Sequence, residues 1–264
     1  MDRNKSTLFP PAKTDEMEPL PGDGILIICD FDGTACSVDM GSKILDRFAG
    51  EGWRDIDRAF CTAEIGSRVA YTQIAALMRG SREQMVEYVH THAALDPYFA
   101  DFYRFCGERG YDLKIASDGL DFYIATVLHK YGLADIEYFC NTATFCPGDG
   151  LTIGFPYVNQ LCGRCGTCKT NIVKGYAADY RRVIYVGDSY SDVCPAKTAD
   201  LVFAKYILYD KCRKNGTACV PYENFHDVMD YLTENMPTGT EYSTPISKPG
   251  CRLLPCRPGS AADK

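Results

Sequence analysis

The sequence is poor in histidine, in excess positive charge and in long apolar runs. Its 264 residues include 4 His, which argues against a metal site built from histidines. A formal net charge of -7 leaves no basic surface of the kind that binds nucleic acid. No apolar run is long enough to cross a bilayer, and the residues before Gly24 lack the apolar segment of a signal peptide. We therefore expect a cytosolic protein that binds neither nucleic acid nor membranes.

Cysteine, by contrast, is abundant, with 14 residues. In a secreted protein this number would suggest disulfides. Because no signal peptide is predicted, most of these cysteines are interpreted as reduced thiols, some buried and some available as metal ligands. Hydrophobic residues make up 46% of the chain and charged residues 24%, which predicts a globular protein with a sizeable core.

The chain length suits one domain with an insertion, or two domains. Residues 1–22 and 236–264 are rich in proline and polar residues without periodicity, and both are predicted to be flexible tails. Strand-like and helix-like segments alternate through residues 23–37 and 95–235. This alternation predicts an α/β core with a doubly wound parallel sheet. Residues 38–94 form an insertion in that core.

The insertion is predicted to be helical throughout. Ile44, Leu45 and Phe48 form one apolar stripe at helical spacing, and a later helix is expected to begin at Ser81 as its N-cap. Such a segment can act as a cap that closes over a site and excludes water.

Two segments of the core are harder to interpret. Residues 147–166 are rich in glycine and cysteine and are predicted to be one long loop. Residues 192–199 are predicted to be a helix, between strands at 183–186 and 201–204.

The core is organised around residues 25–34. An apolar run with β-branched residues predicts a buried strand, and it leads directly to Asp30 and Asp32. Residues i and i+2 of a strand point to the same face, so both carboxylates can converge where open α/β sheets bind ligands. Two close carboxylates repel each other unless a cation or proton lies between them, and hard oxygen ligands suit Mg²⁺.

An Asp-x-Asp-Gly sequence can also open a calcium-binding loop. Such a loop would need a further acidic ligand and a glutamate near its end. Cys36 and Val38 do not fit this pattern. The strand-like run before Asp30 also differs from the helix that precedes such loops, so this interpretation is disfavoured.

Four motifs in order resemble the haloacid dehalogenase (HAD) superfamily. Residues 30–34, Asp-Phe-Asp-Gly-Thr, resemble its first motif, and residues 113–119 resemble its second, a strand that ends in a serine. Lys169 fits the third motif, and residues 187–192, Gly-Asp-Ser-Tyr-Ser-Asp, fit the fourth. The resemblance implies a HAD-like Rossmannoid core, with a small helical cap inserted after the first motif as in the phosphoserine-phosphatase-like (IB) branch.

The resemblance also implies roles for the acidic residues. Asp30 would attack phosphorus to give an aspartyl-phosphate, and Asp32 would protonate the leaving alcohol and then activate water. Asp188 would complete a Mg²⁺ site with Asp30 and the backbone carbonyl of Asp32. Asp192, one helical turn further on, would support the same metal directly or through water.

The remaining motif residues would handle the phosphate. Ser117 would bond a phosphoryl oxygen, helped by backbone N–H groups near Asp118 and Gly119. Lys169 would place a cation against the phosphate and the nucleophile. The expected partner is a small phosphorylated metabolite.

The most unusual stretch is the cysteine cluster just before Lys169. Cys162, Cys165 and Cys168 have the tandem spacing of zinc ligands, with Cys140 or Cys146 as a candidate fourth ligand. The alternative is a loop of buried thiols that positions Lys169 by packing.

A cysteine-rich segment ahead of this lysine resembles the HAD branch that includes the 2-hydroxy-3-keto-5-methylthiopentenyl-1-phosphate phosphatases of methionine salvage. Phosphoethanolamine and phosphocholine phosphatases share a looser version. The implied activity is Mg²⁺-dependent hydrolysis of a phosphomonoester. Phosphoserine, phosphoethanolamine and phosphocholine remain alternative substrates, and a non-catalytic zinc or redox protein is a different class that the acidic motif residues argue against.

Overall fold

The computed structural model describes residues 24–148 and 150–236, and the two predicted tails lie outside these ranges except for Met236. The strands are β1 Ile25–Cys29, β2 Tyr111–Leu120, β3 Glu137–Cys146, β4 Gly150–Gly154, β5 Arg182–Gly187, β6 Leu201–Ala204 and β7 Val220–Pro221. The helices are α1 Met40–Phe48, α2 Trp53–Cys61, α3 Ser67–Ala75, α4 Arg82–His92, α5 Phe99–Arg109, α6 Asp121–Lys130, α7 Lys169–Tyr176, α8 Val193–Ala196, α9 Tyr206–Asn215 and α10 Phe225–Asn235. Within the described ranges, no helix is long and apolar enough to span a membrane.

The seven strands form one sheet in the order β4-β3-β2-β1-β5-β6-β7. All neighbouring strands are parallel except β3 and β4. The predicted α/β fold is therefore confirmed, and β1 lies at its centre.

Strand β1 is central because both of its faces are apolar. Ile25, Ile27 and Cys29 pack into the larger core, while Leu26 and Ile28 pack into a second core on the opposite face. Parallel sheets are covered on both faces, so their inner strands are continuous apolar runs rather than alternating ones.

The register of the sheet decides which residues meet at its carboxyl edge. Cys29 of β1 lies beside Ile115 of β2 on one side and Val186 of β5 on the other. The residues that follow these positions therefore project from neighbouring points on one edge of the sheet.

Residues 38–94 contain helices α1 to α4. Helix α1 is capped by Asp39, whose carboxylate accepts from the backbone N–H of Ser42 at 2.8 Å. Helix α4 begins at a capping box, in which Ser81 and Gln84 each accept from the other's backbone N–H, so the predicted N-cap is confirmed. The division of the chain into a core and a cap stays a prediction.

The prediction of one long loop at residues 147–166 is wrong in part. Strand β4 pairs antiparallel with β3, from Thr142 opposite Gly154 to Cys146 opposite Gly150. Gly148 has a φ of +88°, which suits a tight hairpin turn, and glycine at both ends of β4 weakens its strand signal in the sequence.

The predicted helix at residues 192–199 is shorter in the structure. A 3-10 turn, Tyr190–Asp192, leads into the four residues of α8. Helix α9 was not predicted at all.

Candidate active site

Three strand ends bring the predicted motif residues together. Asp30 follows β1, Ser117 lies near the end of β2 and Asp188 follows β5. All three line one cavity of 310 Å³ at the carboxyl edge of the sheet. The order of the strands explains this meeting, because β1 has β2 and β5 as its two neighbours.

Lys169, the first residue of α7, reaches into the centre of this group. Its Nζ lies 2.8 Å from Asp30 Oδ2 and 2.7 Å from Asp192 Oδ1, and it donates to Ser191 Oγ at 2.8 Å. Burial of the side chain works against its charge, but the Asp192 and Asp30 carboxylates outweigh burial and raise the pKa of Lys169. The ammonium is therefore a cation held directly beside the Asp30 carboxylate.

Asp192 is fully buried, and each of its carboxylate oxygens accepts at least two hydrogen bonds. Its Oδ1 accepts from Lys169 and, at 2.6 Å, from the Tyr185 hydroxyl, while its Oδ2 accepts from the backbone N–H groups of Asp188 and Ser189 at 3.0 Å each. Burial alone would raise its pKa, but Lys169 and the other donors more than offset burial and lower it. These bonds suit indirect support of a metal, and a direct metal contact by Asp192 stays a prediction.

Asp30, Asp188 and Asp192 form an acidic cluster whose ligand atoms lie within 4.8 Å of one another. Burial and repulsion from Asp192 raise the pKa of Asp30 well above its usual range and that of Asp188 to about 6. A divalent cation would relieve this repulsion, so the donor set fits a hard metal ion.

Two residues of the first motif lie against the Asp188 carboxylate. Thr34 Oγ1 donates to Asp188 Oδ1 at 2.6 Å. Gly33 has a φ of +74°, and a Cβ there would lie 2.4 Å from Asp188 Oδ2. Glycine is therefore required at position 33 for both its conformation and its close approach to the carboxylate.

Asp32 occupies a different environment from Asp30. Its Oδ1 accepts from the backbone N–H of Met40 at 2.8 Å and of Gly41 at 3.3 Å, and its Oδ2 accepts from the Tyr123 hydroxyl. Burial, followed by the Asp39 charge, raises the pKa of Asp32 to about 7. A carboxyl group with this pKa can both give and take a proton near neutral pH.

Residues of the second motif contact both the cavity and the cysteine-rich loop. Ser117 is buried, and its Oγ accepts from the backbone N–H of Gly119 at 2.9 Å. Asp118 Oδ1 accepts from the backbone N–H of Thr167 at 2.8 Å, two residues before Lys169. Buried Asn141 strengthens this link, because it donates to the Asp118 carbonyl and accepts from Thr167 Oγ1.

Zinc binding by the cysteine cluster is not supported. Within the described ranges, Cys162, Cys165 and Cys168 are not among the residues that gather as a metal-ligand group, which is the carboxylate cluster. Burial raises the pKa of Cys165 to about 12, so this thiol is protonated at neutral pH in the metal-free protein. Cys140 and Cys146, the candidate fourth ligands, also lie outside the metal-ligand group found among the described residues.

Hydrogen bonds order this loop instead. Asn159 Oδ1 accepts from the backbone N–H groups of Leu161 and Cys162 at 2.9 and 3.1 Å. Further along, the Arg164 guanidinium donates to the Ala63 carbonyl at 2.9 Å. The loop is therefore held between the core and the segment before α3.

The cavity wall opposite the sheet comes from α1, α2 and α3. Trp53, Phe60 and Tyr71 supply aromatic surface, and Asp39 and Asp57 supply carboxylates. Among the described residues, the side chains that line the cavity include no Lys, Arg or His, and Lys169 contacts Asp30 without being part of the lining.

Sequence reasoning assigned no role to four side chains that the fold brings to this site. These are Thr34, Tyr123, Asn141 and Tyr185. Tyr123 lies four residues after Gly119 of the second motif and Thr34 belongs to the first motif, so closeness to a motif was a signal for both. Asn141 and Tyr185 lie inside strands, where nothing local separates them from core residues.

Residues 25–232 match the family model described as Putative Phosphatase. The chain is 32% identical over 213 residues to a 2-hydroxy-3-keto-5-methylthiopentenyl-1-phosphate phosphatase of Brevibacillus brevis, covering 80% of this chain and 96% of the relative. It is 30% identical over 212 residues to the protein of the same name in Exiguobacterium sibiricum, covering 79% and 96%.

The fold is similar to that of a phosphoserine phosphatase solved as a phospho-aspartyl intermediate analogue. The TM-score is 0.61 at 20% identity, and the match covers 79% of this chain and 99% of that one. The fold, the motif order and the family match agree. The chain therefore belongs to the Putative Phosphatase family.

Proposed function

We propose that this protein is a Mg²⁺-dependent phosphomonoester hydrolase in which Asp30 forms an aspartyl-phosphate. The observation that carries the proposal is the position of Asp30 itself. Its carboxylate lies in the cavity, paired with Lys169 at 2.8 Å and clustered with Asp188, at the carboxyl end of the central strand.

The metal would be held by Asp30, Asp188 and the backbone carbonyl of Asp32. Asp192 would support it indirectly. When bound, Mg²⁺ would neutralise charge on the phosphoryl oxygens and on the nucleophile. The cluster supports this assignment because its carboxylates repel each other in the metal-free protein.

In the first half-reaction, Asp30 attacks phosphorus while Ser117 Oγ bonds a phosphoryl oxygen. Lys169 holds Asp30 Oδ2 in one position, which favours an in-line approach. The ester P–O bond breaks and the leaving alkoxide takes a proton from Asp32, whose pKa of about 7 allows it to be protonated at neutral pH.

In the second half-reaction, Asp32 acts as the base. It takes a proton from a water molecule, the resulting hydroxide attacks phosphorus, and the bond between phosphorus and Asp30 breaks. Inorganic phosphate leaves, and both carboxyl groups return to their starting states.

The favoured substrate is 2-hydroxy-3-keto-5-methylthiopentenyl-1-phosphate. The two curated relatives carry that name. The apolar wall of Trp53, Phe60 and Tyr71 suits a methylthio group. The lack of Lys, Arg and His in the described lining disfavours phosphoserine, whose carboxylate would have no cation to meet. A cytosolic location belongs to the same proposal.

A second candidate is a phosphomonoester with a cationic head group, such as phosphoethanolamine or phosphocholine. The supporting observation is that the carboxylates of Asp39 and Asp57 share the cavity wall with its aromatic rings. Aromatic faces and carboxylates together attract ammonium groups.

A phosphomonoester panel with Mg²⁺ separates these functions. The assay would measure kcat/KM for the methionine-salvage intermediate, phosphoserine, phosphoethanolamine and phosphocholine. If the cationic substrates are preferred, Asp57→Asn should raise their KM about tenfold and leave a neutral substrate unaffected. Failure to hydrolyse any of the four with Mg²⁺ would contradict the proposed activity.

A further inference from the structure

The Asp32 carboxylate is held from two directions. Its Oδ1 accepts from the backbone N–H groups of Met40 and Gly41, which any residues at the start of α1 would supply. Its Oδ2 accepts from the Tyr123 hydroxyl in the first turn of α6. Tyr123 is therefore the side-chain partner that fixes the second oxygen.

The Tyr123 ring has little freedom to move. The side chain is 1% exposed, and its ring packs against Phe31 at 6.1 Å and against Phe122 at 5.7 Å between centroids. Rings packed in this way deliver the hydroxyl to one place.

A glycine makes room for that hydroxyl. A Cβ at Gly119 would lie 1.8 Å from Tyr123 Oη, so any larger residue would displace the ring. The backbone of the second motif is thus shaped around the hydroxyl.

In this contact the Tyr123 hydroxyl is the donor and Asp32 Oδ2 is the acceptor. A carboxylate oxygen has two lone pairs. Asp32 Oδ2 can therefore accept from Tyr123 and still carry the proton that leaves with the alcohol.

We propose that Tyr123 is a positioning residue that orients Asp32 Oδ2 for proton transfer to the leaving group. This inference rests on the proposed function. Without the hydroxyl, only Oδ1 would be held, and the carboxyl group could rotate away from the ester oxygen.

The test compares Tyr123→Phe with the wild-type protein on two Mg²⁺-supported substrates. One is p-nitrophenyl phosphate, whose phenolate leaves without protonation, and the other is an alkyl phosphomonoester, whose alkoxide needs a proton. Because kcat/KM reports the steps up to formation of the aspartyl-phosphate, it isolates departure of the leaving group from the later hydrolysis.

We expect Tyr123→Phe to lower kcat/KM about 100-fold for the alkyl ester and only a few-fold for p-nitrophenyl phosphate. The ratio of the two values is independent of the fraction of folded enzyme, so a partly unfolded variant still gives an answer. An equal loss on both substrates, or no loss on either, would overturn the inference.

Two further variants sharpen this test. Tyr111→Phe is the matched control, since it also alters a buried tyrosine by one hydroxyl but lies at the start of β2, away from Ser117 near the end of that strand, and its substrate ratio should equal that of the wild type. Asp32→Asn with Tyr123→Phe should lose no more on the alkyl ester than Asp32→Asn alone, because residues that act as a unit are not additive. A further large loss in that double variant would contradict positioning through Asp32.

A failure of the proposed function would look different. In that case the wild-type protein itself would hydrolyse neither ester with Mg²⁺, whereas a failure confined to Tyr123 would leave the wild type active on both.

Discussion

Two aspartates that are only two residues apart lie in different surroundings, and this difference supports the different chemical roles proposed for them. Asp30 is paired with Lys169, which favours its ionised, nucleophilic form, although burial and Asp192 act in the opposite direction. Asp32 contacts backbone N–H groups and a phenol, and its pKa rises to about 7. Environments that differ in this way separate a nucleophile from an acid and base.

The first prediction concerns Asp30 alone. Asp30→Asn should lower kcat by at least about 10³-fold, because the amide keeps the volume of the side chain but cannot attack phosphorus. The measurement is steady-state hydrolysis with Mg²⁺, together with a thermal scan to verify folding. Asp46→Asn, at an exposed ion pair with Arg54, is the control and should keep full activity. Substantial turnover by a folded Asp30→Asn protein would remove Asp30 from the nucleophile role.

Among the structural elements, the cysteine-rich loop before α7 makes contacts in two directions. On one side, the Arg164 carbonyl accepts from the backbone N–H of Arg68 at 3.1 Å, and the Gly166 N–H donates to Ser67 Oγ at 3.1 Å. On the other, Thr167 bonds Asp118 of the second motif. The loop thus joins the start of α3 to β2, with Lys169 directly after it.

The contact between the cysteine-rich loop and the start of α3 requires a glycine where the two backbones come closest. Gly66 has a φ of -91°, which alanine adopts freely, but a Cβ there would lie 2.1 Å from the Arg164 carbonyl oxygen. Backbone strain therefore does not complicate the substitution, and its effect comes from the steric clash alone.

We predict that Gly66→Ala lowers the free energy of unfolding by about 1–3 kcal/mol and raises KM, because α3 and the loop must separate. Chemical denaturation and substrate titration measure the two effects. Gly107→Ala is the matched control, since a Cβ at Gly107 in α5 meets nothing within 4 Å, and it should stabilise the protein by up to about 1 kcal/mol. Equal stability of Gly66→Ala and the wild type would show that the loop does not dock closely on α3.

For the molecule as a whole, the active-site carboxylates make metal-free stability depend on pH. The folded-state pKa values of Asp30, Asp32 and Asp188 are all raised, to about 7 for Asp32 and about 6 for Asp188. Between about pH 4 and pH 7 the folded protein therefore binds more protons than the unfolded chain, whose Asp pKa is about 4. Stability should fall as pH rises through this window. Asp192 has a lowered pKa, so its own contribution is lost only at lower pH.

Mg²⁺ should reverse this trend because it binds the ionised carboxylates. We predict that the increase in Tm from excess Mg²⁺ over chelator is small at pH 5 and grows to several degrees by pH 8. Thermal scans at a series of pH values, each with chelator or Mg²⁺, measure it. Asp188→Asn should lose most of the increase at pH 8. An increase of the same size at pH 5 and pH 8 would contradict a site built from these carboxylates.

The sequence by itself determined which carboxylates lie at the end of β1. The apolar run 25–29 predicts a buried strand, and the strand period places Asp30 and Asp32 at its carboxyl end. The alternation of segments predicts the parallel sheet, and the resemblance to the haloacid dehalogenase superfamily implies that Asp30, Ser117 and Asp188 meet at one site. These inferences succeed because strand burial and side-chain alternation are local properties of a short stretch of chain.

Only the tertiary structure decided how those groups are held. Tyr123 is 91 residues from Asp32 in sequence, and Lys169 is 23 residues from Asp192, so no local pattern pairs them. The cysteine spacing suggested zinc, yet the loop is ordered by Asn159 and by contacts with the start of α3. The spacing of residues along a chain identifies candidate ligands. Whether a thiol ionises and what a carboxylate binds depend instead on burial and on competing hydrogen bonds. Both of these are set by segments that are distant in sequence.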